Sequence, residues 1–328
     1  MSPVPPGAGA VPPGAGSAGE DRWYGKAMVR VRDPEPAGPA WQDSHVLYNR
    51  ALTPYTAHPL VAALGPRAAL ELGAGRLAEY LAKTEVVELE IVNRAVQRIL
   101  ELPGTPDEMR TDLLKVYTDE GYHVLMMEEF RTHIQQVTGL RLGRTPGREV
   151  GDIARLVAGL PRDKRPIAVI CCAIVTETLI TATLRQAGGD TVYPAVTRML
   201  AEHATDEARH HAFFHRFADG WIPTVVQRDR ALVESVLRQV LWYFLRPDFG
   251  RLHADLVARG LTPRQAATAV DESHDRAELR RQFLAASAAC RKLIGDLGLE
   301  AGEQFADRLS VLDGASLVDL TTLEPHRS

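Results

Sequence analysis

Cysteine is scarce in this sequence of 328 residues, which contains only Cys171, Cys172 and Cys290. So few cysteines make a disulfide framework improbable and favour a reduced, cytoplasmic environment. The N-terminus has no early lysine or arginine and no hydrophobic core segment, so we expect no signal peptide. The longest nearly pure apolar run, Ile167 to Val175, is too short to cross a bilayer.

Neither charge is in large excess, because the chain has 38 lysines and arginines and 42 aspartates and glutamates, which gives a formal charge of −4. This balance argues against nucleic acid or a membrane as the main partner. Apolar residues make up 45% and aromatic residues 6% of the chain. A globular protein with a large core is expected from this composition.

No alternating strand pattern extends over any length, and the short VRVR near Val29 is the one weak candidate, which we discount. Residues 1–20, rich in proline, glycine and alanine, are predicted to be a disordered tail. An irregular segment packed on the core is expected over residues 21–67, an all-α domain over 68–312, and a C-terminal tail over 313–328. Periodicity and turn residues such as Gly220 predict helices near 68–101, 107–137, 149–159, 166–187, 191–218, 227–246, 263–275 and 277–297.

Four of these helices carry acidic or histidine side chains on the face that is otherwise apolar. Steps of three and four residues place these side chains on one helical face. An ionised carboxylate on a core face costs several kcal/mol unless it is paired or bound to a metal. The candidate metal ligands are Glu85, Glu120, His123, Glu177, His203, Glu207 and His210.

The order of these residues is repeated within the chain. A helix with one glutamate, Glu85, precedes a helix with Asp119-Glu120-x-x-His123, and Glu177 likewise precedes Asp206-Glu207-x-x-His210. Antiparallel hairpins bring each pair to about the same level. Two such hairpins form a ferritin-like four-helix bundle whose glutamates and Glu-x-x-His motifs are typical of di-iron or di-manganese proteins.

The residue types suit such a centre, since four carboxylates balance two divalent cations and imidazole favours iron over magnesium or calcium. Manganese would accept the same ligands. Asp119 and Asp206 are expected to accept the ring N–H of the opposite pair's histidine. On the first helix Glu85 is the least certain of these candidates, because Glu88 lies close to the same face; Glu90 points away.

The motifs Thr84-Glu85, Asp119-Glu120-x-x-His123, Glu177-Thr178 and His203-x-x-Asp206-Glu207-x-x-His210 resemble those of the AurF/CmlI-type di-iron N-oxygenases. The similarity extends over about three-quarters of the chain. It implies a ferritin-like fold and a ligand set of four glutamates and three histidines, and the family spacing favours Glu85 over Glu88. In the family member that oxidises aminobenzoate, an arginine holds the substrate carboxylate, and the aligned residue here is Ala285.

The resemblance implies an O2-dependent di-iron monooxygenase that oxidises an amine to the hydroxylamine, nitroso or nitro level in antibiotic biosynthesis. An electron donor or reductase would then be a partner. Hydroxylation or desaturation at carbon on the same centre is the alternative, because one bundle supports many chemistries. A ferroxidase-like or iron-handling protein is a third hypothesis. A homodimer is possible through the apolar helix Val233–Leu245, whose aromatic residues are equally compatible with the core.

Overall fold

A computed structural model describes residues 27–31, 40–299, 308–309, 312 and 316–318. The predicted disordered tail, residues 1–20, lies outside the described residues, as does most of the predicted C-terminal tail. Within the described part the chain is all-α, and its one isolated β-bridge pairs Val46 with Val192. No described helix is long and apolar enough to span a membrane.

Short helical turns precede the main helices, and the described part of the VRVR segment, residues 29–31, lies in one of these turns rather than in a strand. After α1 (Met28–Val31) come 3-10 turns at Arg50–Leu52 and Pro54–Ala57 and the short α2 (Pro59–Ala62). The long elements then follow in the order α3 (Pro66–Val86), a π-turn (Val87–Val92), α4 (Asn93–Leu100), α5 (Asp107–Thr138), α6 (Arg148–Gly159), α7 (Arg165–Ala187), α8 (Pro194–Leu245), α9 (Phe249–Ala258), α10 (Pro263–Ser273) and α11 (Arg276–Asp296).

The helix α8 is longer than the sequence indicates, because Gly220 and Pro223 do not end it. The helix continues through both residues, and the break occurs at Asp229, whose φ of −129° and ψ of 28° are not helical. A proline inside a helix removes one backbone hydrogen bond but does not always stop the chain from continuing. The two helices predicted at 191–218 and 227–246 are therefore the two arms of one kinked element.

Local sequence explains several helix ends. At the start of α10, Thr262 and Gln265 form a capping box in which each side chain bonds the backbone of the other residue, with Pro263 at the first position. At the end of α5, Gly139 adopts a φ of 69°, which favours glycine. The next helix can therefore leave in a new direction.

The bundle is formed by α3 with α4, α5, α7 and the first arm of α8. Its apolar core consists of two clusters, one around residues such as Ile99, Ile170 and Phe217 and the other around Leu81, Met127 and Leu200. Buried polar side chains at the mid-level of the bundle separate the two clusters. The apolar face of Val233–Leu245 belongs to the first cluster, so the core accounts for residues such as Leu237 and Phe244.

Leu237→Ala tests the packing of the second arm of α8. Leu237 is buried, and deleting its side chain should lower the free energy of unfolding by about 2–5 kcal/mol. Leu232→Ala, at a partly buried position on the same arm, should cost clearly less. Denaturant unfolding of both variants measures the difference, and equal losses would contradict the described core.

Candidate metal centre

The π-turn at Val87–Val92 determines which glutamate of the first bundle helix enters the core. A π-turn carries more residues per turn than an α-helix, and such turns are often found at functional sites. The sequence of buried positions therefore runs through Thr84, Glu88 and Val92 in steps of four. Glu88 is buried, whereas Leu89, four residues after Glu85, is 43% exposed.

The structure does not bring Glu85, a predicted ligand, together with the other donors. The Glu85 carboxylate instead accepts hydrogen bonds from Arg131, from Nε at 3.0 Å and from Nη2 at 2.8 Å. Arg131 is buried and also donates from Nη1 to the Gly143 carbonyl at 2.5 Å. Glu85 thus balances a buried guanidinium, and Glu88 takes the place at the cluster.

Five of the six remaining predicted ligands come together with Glu88 at the centre of the bundle. One group of donors, within 4.8 Å of one another, is Glu88, His123, His203 and Glu207; a second is Glu120, His123, Glu207 and His210. All six of these residues are buried. Since His123 and Glu207 belong to both groups, the groups are adjacent and share an edge.

Short distances define the centre of each group. In the first, Nε2 of His203 lies 2.9 Å from Glu88 Oε1 and 3.0 Å from Glu207 Oε1. In the second, Nδ1 of His210 lies 3.0 Å from Glu120 Oε1. Nδ1 of His123, 3.1 Å from Glu207 Oε1, lies between them. Carboxylate oxygens and imidazole nitrogens thus converge on two neighbouring points.

Glu177 completes the carboxylate set from helix α7. Its side chain is buried, and neither carboxylate oxygen has a hydrogen-bond donor within the described residues. Glu207, Glu120 and His210 are close enough for their charges to shift its pKa. An ionised carboxylate here would cost several kcal/mol, so the carboxyl holds a proton unless a cation replaces it.

Both predicted aspartate acceptors lie beside the histidine of the opposite hairpin. Nε2 of His210 is 3.6 Å from Asp119 Oδ2, and Nε2 of His123 is 3.5 Å from Asp206 Oδ2. These positions leave Nδ1 of both rings facing the carboxylates. The role of the two aspartates in orienting metal-bound rings remains a prediction.

Asp206 is itself held by the short helix α1. Its carboxylate accepts the backbone N–H groups of Met28 at 2.7 Å and Val29 at 3.0 Å, and it also pairs with Arg209. The sequence gives little signal for this contact, because the two segments are separated by 177 residues or more. A segment N-terminal to the bundle thus fixes a residue that touches the cluster.

Tyr80 is a further residue at the cluster that sequence reasoning missed. Its hydroxyl lies 3.4 Å from Nδ1 of His203, the ring nitrogen on the side away from Glu88 and Glu207. Burial is the main cause that raises the pKa of Tyr80 well above its usual value, so the phenol stays neutral. His203 therefore faces a neutral partner where the other two histidines face carboxylates.

Proton sharing keeps the cluster charges compatible with burial. Burial raises the pKa of Glu88 to about 7. Burial, with the charges of Glu207 and Glu120, raises the pKa of Glu177 well above its usual range. Burial also opposes ionisation of Glu207, but His210 and the other two rings hold the pKa of this carboxyl well below its usual range. Burial lowers the pKa of each histidine, yet the surrounding carboxylates outweigh burial and raise all three values.

Two divalent cations fit this donor set. Four carboxylates and three imidazoles are buried together, and carboxylates in a buried volume are stable only beside positive charge. Divalent cations would supply that charge and displace the shared protons. Imidazole together with carboxylate is the ligand mixture of iron and manganese sites rather than of magnesium or calcium sites.

Comparison with known families agrees with this geometry. The family model for P-aminobenzoate N-oxygenase AurF matches residues 30–298, which include every donor of the cluster. The chain belongs to the AurF family. A comparison with curated proteins gives no match.

The AurF family is a family of di-iron oxygenases. The buried cluster of carboxylates and histidines in this chain is compatible with such a metal site. The match begins at residue 30, immediately after the backbone groups that hold Asp206. The family match therefore covers the bundle and the helices packed on it up to the end of α11.

Two matched variants distinguish Glu88 from Glu85. Glu88→Ala should lower metal content from about two to about one or fewer ions per chain, because it removes a donor from the first group. Glu85→Ala should keep both ions but lower the free energy of unfolding by about 1–3 kcal/mol, because Arg131 loses its partner. Elemental analysis and denaturant unfolding give the two readouts, and metal loss only in the Glu85 variant would contradict the assignment.

Metal affinity should depend on pH, because coordination requires deprotonated donors. Below pH 7 the Glu88 carboxyl must release a proton before it binds a cation, so binding weakens as pH falls through about 7. From this carboxyl alone we expect Mn2+ to bind about fivefold more tightly at pH 7 than at pH 6. Competition with a chelator of known affinity measures this, and a constant affinity would argue against these donors.

Proposed function

We propose that the protein uses two iron ions and dioxygen to oxidise the nitrogen of an amine. The observation that carries this proposal is a pair of adjacent buried donor groups, built from three glutamates and three histidines with the buried Glu177 near them, in a chain of the AurF family. The donor set suits iron, with manganese as the metal that the same ligands would also accept.

Each ring would present one defined nitrogen to the metal pair. His123 and His210 would use Nδ1, because Asp206 and Asp119 lie at their Nε2 atoms. His203 would use Nε2, because its Nδ1 faces Tyr80. The tautomers and ring orientations are thus held by groups that do not bind the metal themselves.

When bound, the metal pair would activate dioxygen with electrons from a donor or reductase, so that an oxygen atom is transferred to the amine nitrogen. The chain contributes ligation and the exclusion of water. The apolar clusters above and below the polar level keep bulk water from the donors. A dry site strengthens the electrostatic interactions inside it.

The substrate is expected to be an arylamine without a benzoate-type carboxylate. Ala285, which aligns with the carboxylate-holding arginine, is an exposed residue of α11. The nearby arginines have other partners, since Arg281 pairs with Glu278 and Arg291 donates to the Leu284 carbonyl at 3.3 Å. Both arginines thus already have partners within the chain, which supports a substrate without a carboxylate.

A product assay with isotopically labelled dioxygen tests the proposal. Protein loaded with Fe(II) and reduced without oxygen is mixed with the labelled gas and either aniline-type amines or p-aminobenzoate. We expect labelled hydroxylamine, nitroso or nitro products, with higher yield from the amines that lack a carboxylate. The Glu177→Ala variant, which lacks a ligand, is the control.

The same assay separates the alternatives. Labelled oxygen on a carbon atom of the product would favour the hydroxylase hypothesis, in which the metal centre is the same and the reaction differs. Iron oxidation in large oligomers without any organic product would favour the hypothesis of an iron-handling protein. Protein that takes up neither iron nor manganese would contradict all three.

A further inference from the structure

A cavity of about 290 Å3 lies apart from the metal centre, between the 3-10 turns, α3 and the first turns of α9 and α11. Arg76, in its wall, precedes Glu88 by twelve residues, or about 18 Å of helix. No donor of the metal centre is among the described residues that line the cavity. Pockets for small molecules start at about 300 Å3, and a cavity of about 150 Å3 holds benzene. The cavity is therefore large enough for a substituted aromatic ring.

Aromatic rings form part of the cavity wall. The rings of Tyr55 and His274 are stacked with their centroids 6.1 Å apart, and the ring of Phe249 meets His274 edge-on at 4.9 Å. Leu52 and Leu252 add apolar surface to the same cavity. The flat ring of a ligand can pack against such a wall by offset or edge-to-face stacking, and a cation is attracted to the faces of aromatic rings.

Two hydroxyl groups in the wall have no hydrogen-bond partner within the described residues, those of Tyr55 and Ser273. Tyr55 is only 2% exposed, and a buried hydroxyl without a partner is unfavourable. Burial raises the pKa of Tyr55, so its phenol stays neutral and can either donate or accept. Both residues line the cavity, where the polar group of a ligand would offer them a partner.

The basic side chains of the wall carry little free charge. The charge of Arg76 is balanced by Glu79, whose Oε2 accepts a hydrogen bond from Nη1 at 2.6 Å. Nδ1 of His274 donates to the Val270 carbonyl at 2.8 Å. Burial lowers the pKa of His274, so the ring is neutral at pH 7 and its Nε2 is an acceptor. The described part of the wall therefore offers no unpaired cation to an anionic ligand.

Two carboxylates of the wall, by contrast, have no basic partner. Asp248 caps α9 and Asp275 caps α11, and Oδ1 of each accepts a backbone N–H, from Arg251 at 3.0 Å and from Glu278 at 2.6 Å. Within the described residues neither carboxylate forms an ion pair. The second oxygen of each is thus left for a ligand that donates, and hydrogen bonds from a charged donor to a carboxylate are the stronger kind.

We propose that this cavity binds a protonated amine that carries an aromatic ring. The ring lies against Tyr55, His274 and Phe249, and the ammonium group faces the acidic side formed by Asp248 and Asp275. An anion of the same size is disfavoured, because it would meet these carboxylates and would find Arg76 already paired. The site is separate from the metal centre, so the inference goes beyond the proposed oxidation and does not depend on it.

Three probes of nearly equal size test the charge preference. At neutral pH benzylamine is a cation, benzyl alcohol is uncharged and benzoate is an anion. Titration calorimetry with the full metal-loaded chain should give a Kd for benzylamine about tenfold or more below that for benzyl alcohol, because only the ammonium group makes charge-assisted hydrogen bonds. Benzoate should show no measurable binding.

Matched variants locate the bound probe. Asp248→Asn and Asp275→Asn remove charge but keep good helix caps, and together they should weaken benzylamine binding about tenfold or more. Asp107→Asn is the control, since Asp107 is an exposed aspartate in the first turn of α5, outside the cavity. It should leave the Kd unchanged. Metal content should be the same in all of these variants.

Each result supports or overturns the proposal. A preference for benzylamine that is lost in the Asp248 and Asp275 variants, and kept in the Asp107 variant, would support it. Equal binding of the three probes, a preference for benzoate, or no binding of any probe would overturn it. Benzylamine binding that needs the metal ions, or that the Asp248 and Asp275 variants leave unchanged, would place the probe elsewhere and would equally overturn it.

Discussion

The burial of four carboxylates and three imidazoles in an otherwise apolar bundle is the constraint on which the rest of the structure depends. The polar level divides the core into two apolar clusters, which must close above and below it. Asp119, Asp206 and Tyr80 lie beside the ring nitrogens that face away from the other donors. The helix α1 contributes by holding Asp206 through its backbone. Such a cluster is stable only with compensating positive charge, from shared protons or from metal ions.

Much of the bundle follows from the sequence, because the decisive signals are local. Glu120 with His123, and Glu207 with His210, are spaced so that regular α-helix puts each pair on one face, and the structure places both pairs at the centre. His203 lies one turn before Glu207 and joins the same face. The repeated order of the motifs predicts two hairpins. Because the rise per residue of a helix is constant, the motifs of each hairpin are expected at the same level.

The structure differs from the sequence predictions where the backbone departs from a regular helix. The π-turn moves Glu88 inward and leaves Glu85 to Arg131, and no side-chain periodicity reveals such a turn in advance. Likewise, glycine and proline near residue 220 suggest a helix end, yet the break occurs at Asp229. Contacts between distant segments are also hidden, as with the backbone groups of α1 that bind Asp206.

We propose that seven donors, with Glu88 and without Glu85, hold two iron ions. The most direct test is anomalous X-ray scattering from crystals of the iron-loaded protein. We predict two iron peaks inside the bundle, one beside Glu88 and His203 and the other beside Glu120 and His210. A single peak, peaks outside the bundle, or an iron ligated by Glu85 would contradict the account.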